Sequence, residues 1–341
     1  MGLLVLSLIF AVKFPFELFL MAYAILGPLH YLTEIGWLHQ RNYFSKGKKD
    51  WWILVGLCSL VCFSMAISEF SKWERTAEFM ADWKAGSAGF IPYIINKGST
   101  AFIFMAFAAA LGFAFFDNKY VRYGIIPLSL IPAYLFRHSE PYMLVFAVFL
   151  PTVIHVSIFT GLFMLFGALK SRSIPGIAGF FLMIGCILLI FNMNFQPKQF
   201  LHYMDQSDYW MKSYKSTNFD AVNYYLWDLL APTSDKNFFL NSKWGLRIQA
   251  FIAFIYTYHY LNWFSKTEII KWHAVSKKWL LITVVLWIVS VALYAYDYKT
   301  GLLALFFLSM LHVFLEFPLN YQSILGIGKE TLSLTRKKKI A

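Results

Sequence analysis

Long apolar runs broken by short polar clusters set the pattern of this chain. A helix needs about 20 apolar residues to cross ~30 Å of hydrocarbon. On that measure nine spans are expected, at roughly 8–33, 52–69, 99–116, 122–136, 142–168, 174–195, 246–265, 278–296 and 300–319. Lys13, Pro15 and Glu17 interrupt the first run, so residues 2–12 form either an interfacial piece or the top of one tilted helix. The fourth run is short and holds Pro127 and Pro132, which predict a kink. "SAGFIPYIIN" (87–96) is too short to span and reads as re-entrant or interfacial.

Composition agrees with this pattern. Hydrophobic residues make up 59% of the 341 and charged residues only 14%, against about 25% charged in soluble domains. The expected fold is therefore all-α, a polytopic bundle forming one membrane domain over 1–341. Lysine and arginine set its orientation. With the N-terminus outside, the inner loops carry Arg41, Lys46, Lys48, Lys49, Lys119, Lys170, Arg172, Lys266, Lys271 and Lys277. The tail 321–341, with its "TRKKK", is then cytoplasmic, while the longer outer loops 70–98 and 197–245 are nearly balanced in charge. An N-out, C-in protein of a bacterial inner membrane is expected. The aromatic-rich loop 197–245 reads as a structured outer cap. The net charge of +12 is spread between apolar runs rather than gathered in one nucleic-acid-binding patch. The N-terminal segment has neither a basic n-region nor a small-residue cleavage site, and is expected to be retained. Cys58, Cys62 and Cys186 all lie in apolar runs and do not form a disulfide framework.

The candidate chemistry lies in the histidines. His39, His138, His202 and His273 fall outside the hydrocarbon and read as solvated or interfacial. His30, His155, His259 and His312 fall on the first, fifth, seventh and ninth spans, which all run in one direction. Counted from the span starts, His155 and His259 are thirteen residues in and His312 twelve. At about 1.5 Å per residue, the four imidazoles share a similar depth. Ionisable side chains within a membrane face the protein interior and mark function by default. Glu34 follows His30 by four residues and Glu316 follows His312 by four, a spacing that places each pair on one helix face. Such a carboxylate can orient an imidazole, ligate a metal, or snorkel to the inner interface. Four neutral imidazoles with open positions suit Fe(II), and also Zn or Cu. Two bis-histidine haems are a rival arrangement. A transporter or channel coupling protons through buried His and Glu is another, with "IPLSLIPAY" (126–134) and "GSAGFIPYI" (86–94) as its broken helices. A third is an assembly protein whose buried polar groups only join helices. Nucleophile-elbow, Walker, H-E-x-x-H and H-x-x-H-H patterns are all missing from the sequence.

Four short stretches, in order, resemble the Brp/Blh-type membrane carotene dioxygenases. "GPLHYLTE" is similar to that family's P-H-G-x-x-D motif, with Glu34 in place of the aspartate. "TVIHVSIF" around His155 resembles an I-H-F-G segment. "FIYTYHYLNWFSK" matches the second of two histidines four apart with His259, while Ile255 occupies the first position. "SMLHVFLEFPLN" resembles a late P-H-x-x-x-x-D-F segment, and its His312 can supply the ligand missing at Ile255. The resemblance implies Fe(II) held by His30, His155, His259 and His312, with Glu34 and Glu316 in catalytic roles. It further implies O2 and a lipid-soluble polyene as substrates, and retinal-like aldehydes as products.

Overall fold

A computed structural model describes residues 1–72, 74–86, 98–195, 209–231, 242–266 and 276–338. Among them all regular structure is helical, with no strand. The helices are α1 (Gly2–Lys13), α2 (Pro15–His39), α3 (Trp51–Phe70), α4 (Glu74–Gly86), α5 (Ser99–Phe115), α6 (Lys119–Leu135) and α7 (Glu140–Lys170). They continue with α8 (Ile174–Asn192), α9 (Tyr209–Ser216), α10 (Asp220–Leu230), α11 (Lys243–Phe264), α12 (Lys277–Tyr296) and α13 (Tyr298–Lys338). Each expected span falls on one of these, but only α2, α3, α7, α8, α12 and α13 are long and apolar enough to cross a bilayer by themselves. An integral membrane protein follows from those six. The patch 87–96 lies outside the described residues.

The other three spans fall short for different reasons. α5 and α6 have 17 residues each, about 25 Å of helix. α11 has 22 but carries Lys243, Arg247, Gln249, His259 and Asn262 among its apolar residues. Its position explains that composition: every residue from Gly245 to Tyr260 except Arg247 is buried. A helix surrounded by protein need not match lipid, whereas α8 and α12 expose leucine, isoleucine and valine over most of their length.

The chain divides into two compact units. The first takes in Met1–Glu34, Thr152–Leu305 and Ser323–Ala341. α11 is its core, packed by α1, α2, α8 and α10. α1 ends where Phe14 leaves helical geometry (φ −136°, ψ 60°) ahead of Pro15, since the residue before proline is driven from the helical region. The expected first span is thus two helices, and the crossing begins at Pro15. The carbonyls loosened here find side-chain donors from the core. Gln249 Nε2 donates to the Pro15 carbonyl at 3.1 Å and Tyr298 Oη to that of Leu20 at 2.9 Å. Trp287 Nε1 donates to the Ile25 carbonyl at 2.8 Å, within a π-turn over Ala22–Leu26. Broken helices survive in membranes when neighbouring side chains re-satisfy the freed backbone in this way. Gln249 is itself held by Asn223 Nδ2 at 2.8 Å and Tyr214 Oη at 2.7 Å. These two residues bind α9 and α10, within the expected loop 197–245, to the core helix.

The second unit takes in Ile35–Pro151 and Phe306–Gln322. α5 packs on α3 and α6. The last contact is close: a Cβ on Gly112 would lie 2.7 Å from the Arg122 carbonyl. α6 runs as one helix through Pro127 and Pro132. Between α2 and α3 the chain turns through three successive left-handed residues, Asn42, Tyr43 and Phe44. That conformation is costly for side-chain-bearing residues, and it is tied down from several sides. Asn42 Nδ2 donates to the Ser45 carbonyl, Gln322 Nε2 to the Phe44 carbonyl, and the Lys46 N–H to the Phe113 carbonyl. Asp50, fully buried, accepts from Ser45 Oγ, the Gly47 N–H and Tyr123 Oη and pairs with Arg122 Nε at 3.3 Å.

Candidate metal centre

Each of the four histidines reaches the site on a different helix. His30 follows the π-turn of α2 by one α-helical turn. His155 lies within a π-helical stretch of α7, Leu144–Phe159, which also contains Pro151. His259 sits near the end of the buried run of α11. His312 belongs to α13, a helix of 41 residues that continues unbroken past Pro318. A π-turn takes five-residue hydrogen bonds in place of four, and such turns cluster at functional sites. Their effect is rotational: a ligand placed after one faces a different direction from the one an α-helix would give it.

All four histidines are buried, and each offers a ring nitrogen lying within 4.8 Å of the other three. The expected quartet therefore converges. His30 Nε2 and His259 Nε2 are 2.9 Å apart, their rings crossing edge to face at 4.5 Å. The His155 ring lies 4.9 Å from that of His259. Ligands held at about 2.1 Å from one ion are about 3.0 Å apart at right angles, about 3.4 Å apart in a tetrahedron and about 4.2 Å apart in trans. The 2.9 Å contact has the edge length of two neighbouring ligands on one ion. Imidazole donors suit iron, copper, nickel or zinc by their softness.

Surrounding groups fix the rings. Thr160 Oγ1 lies 2.6 Å from His259 Nδ1, so Nε2 is the nitrogen turned toward His30. Trp263 packs on His30 at 5.5 Å and donates Nε1 to Thr33 Oγ1 at 3.0 Å. Thr33 in turn donates within α2, its hydroxyl lying 2.7 Å from the Leu29 carbonyl. Tyr260 closes another side, 5.3 Å from His30. Glu34 is buried and its Oε2 lies 3.0 Å from His30 Nε2. Glu316, one turn after His312, is also buried.

Of the remaining histidines, the two that are described lie at the surface, as expected. His39 is exposed, with Nδ1 3.0 Å from Tyr43 Oη, and His138 is exposed. His202 and His273 lie outside the described residues. Ile255 is buried in α11 one turn before His259, where the resembled motif has its first histidine. Sequence reasoning missed Thr160, since a threonine in an apolar run carries no signal of its partner. It also missed the π-turns, for which no residue pattern exists in a helix that is apolar on all sides.

Comparison with known proteins finds no matching family model, no matching curated protein and no matching solved structure.

Proposed function

We propose that this chain is a membrane-embedded metalloenzyme that holds Fe(II) through His30, His155, His259 and His312 and carries out oxidative cleavage of a carotenoid-like polyene with O2. The observation that carries the reading is the convergence of four buried imidazoles, on four helices, within 4.8 Å. The motif stretches that resemble the Brp/Blh-type dioxygenases support it, with Ile255 at one family histidine position and His312 as the substitute ligand. Fe(II) in such a site supplies binding and activation of O2. The chain's own residues hold the four imidazoles in fixed directions, with Thr160 orienting His259 and the Trp263–Thr33 bond packing His30. Tyr260 and Trp263 help to exclude water from the ligands. Haem fits the spacing less well. Four imidazoles from four helices gathered about one point favour a single ion over a haem held by two of them.

A centre among apolar, span-length helices supports a lipid-soluble substrate. A long apolar polyene dissolves in the bilayer, and a centre buried among membrane-spanning helices meets it there without passage through water. This reading includes nine crossings, with α5, α6 and α11 completing the six, an N-out and C-in orientation, and a bacterial inner membrane. The test is expression in a β-carotene-producing bacterial host, with metal analysis of the purified chain. Bound iron, loss of colour and appearance of retinal are expected. Iron-free protein with undiminished carotene would overturn the proposal, and a Soret band would shift the assignment to haem.

A further inference from the structure

We propose that Glu34 is a fifth protein ligand of the metal centre, giving it four imidazoles and one carboxylate. This rests on the metal reading above and goes beyond it, since that reading draws ligands from histidines alone. A carboxylate that only orients a ligating histidine bonds to the ring nitrogen pointing away from the metal. Glu34 does the opposite. Its Oε2 lies 3.0 Å from His30 Nε2, and that same nitrogen faces His259 Nε2 at 2.9 Å. These two contacts meet at one atom, and both have the ~3.0 Å edge expected for neighbouring ligands on an ion at about 2.1 Å.

Electrostatics points the same way: Glu34 is a buried carboxylate set against the facing nitrogens of two buried imidazoles. Four neutral imidazoles leave an ion its full double charge in an apolar interior, where burying charge is expensive. One carboxylate ligand halves that net charge. With Glu34 bound, a six-coordinate ion keeps one position for an outside ligand.

The test uses the purified full chain in detergent and Co(II) alone as the probe. Wild-type protein should bind one Co(II) per chain with the weak visible absorption of a five- or six-coordinate ion. Glu34→Ala should bind about tenfold or more weakly, gain visible intensity toward the four-coordinate limit, and recover the wild-type spectrum when formate is added. Glu34→Gln keeps the side chain's size and serves if the alanine variant fails to fold. It should lose affinity to the same degree. A folded variant whose affinity stays within twofold of wild type, with an unchanged Co(II) spectrum, overturns the assignment. Wild-type protein that binds no Co(II) refutes the metal centre as well as this ligand, and so separates the two failures.

Discussion

The contact between Thr160 and His259 allows a quantitative test of how the centre is built. Thr160→Val removes one hydroxyl while keeping the branched shape of the side chain. In this buried place His259 Nδ1 then loses the partner that fixes its ring. A buried polar group left unsatisfied costs about 1–3 kcal/mol. Loss of an outer partner of a metal-bound histidine typically lowers metal affinity about 10–100-fold. At ~1.4 kcal/mol per tenfold, that is about 1.4–2.8 kcal/mol of binding free energy, distinct from the folding cost of the unsatisfied nitrogen. The assay is equilibrium titration of metal-stripped protein with Fe(II) or Co(II), alongside Thr160→Ser, which keeps the hydroxyl. The expected order of affinity is wild type, then serine close behind, then valine at least about tenfold weaker. A valine variant with wild-type affinity would show that the hydroxyl does not orient His259, and the assignment of Nε2 as its metal-facing nitrogen would fall.

Other outcomes follow from the same structure. His30→Ala and His312→Ala should each abolish metal binding while the protein still inserts; full metal retention in both, read by elemental analysis, would remove them from the ligand set. Asp297 caps the start of α13, accepting from the Thr300 N–H at 2.8 Å and the Thr300 hydroxyl at 2.7 Å. These bonds hold its carboxyl below the usual carboxylate range. A folded pKa below the unfolded one stabilises at pH above the unfolded value, and that contribution is lost as pH falls through the folded value. Asp297→Ala should cost about 1 kcal/mol near neutral pH, with the gap to wild type closing in acid; a pH-independent difference in thermal stability would contradict the cap. Gly112→Ala pushes a Cβ against the Arg122 carbonyl at 2.7 Å, and should lower stability by about 1–3 kcal/mol in a thermal melt. An unchanged melting temperature would show that α5 and α6 can separate at little cost.

Much of the helical framework was legible because lipid imposes a simple requirement, a run of apolar residues long enough to cross. α8 and α12, which expose apolar side chains over most of their length, satisfied it plainly. α11 was harder to classify because its neighbours are protein, and protein accepts Gln249 and His259 where lipid does not. The break at Phe14 was foreshadowed by Pro15, whose effect on its predecessor is local. Pro127, Pro132 and Pro318 show the opposite outcome, since surrounding contacts kept those helices continuous. The histidine quartet was legible by depth, because position along a helix can be counted. Its convergence in the membrane plane could not be counted, because rotation about each helix depends on packing and on π-turns. Thr160 and the different surroundings of Glu34 and Glu316 likewise depend on contacts between distant parts of the chain.

The widened stretch of α7, Leu144–Phe159, is wound more loosely than an ordinary helix, its hydrogen bonds spanning one residue more. Deleting a single residue between Leu144 and Ile154 would let the coil tighten and swing His155 by about 100° around its axis, away from its three companions. The loose winding and the imidazole it aims therefore act as one unit: a change of length in the first withdraws the second from the centre, even with all four histidines present.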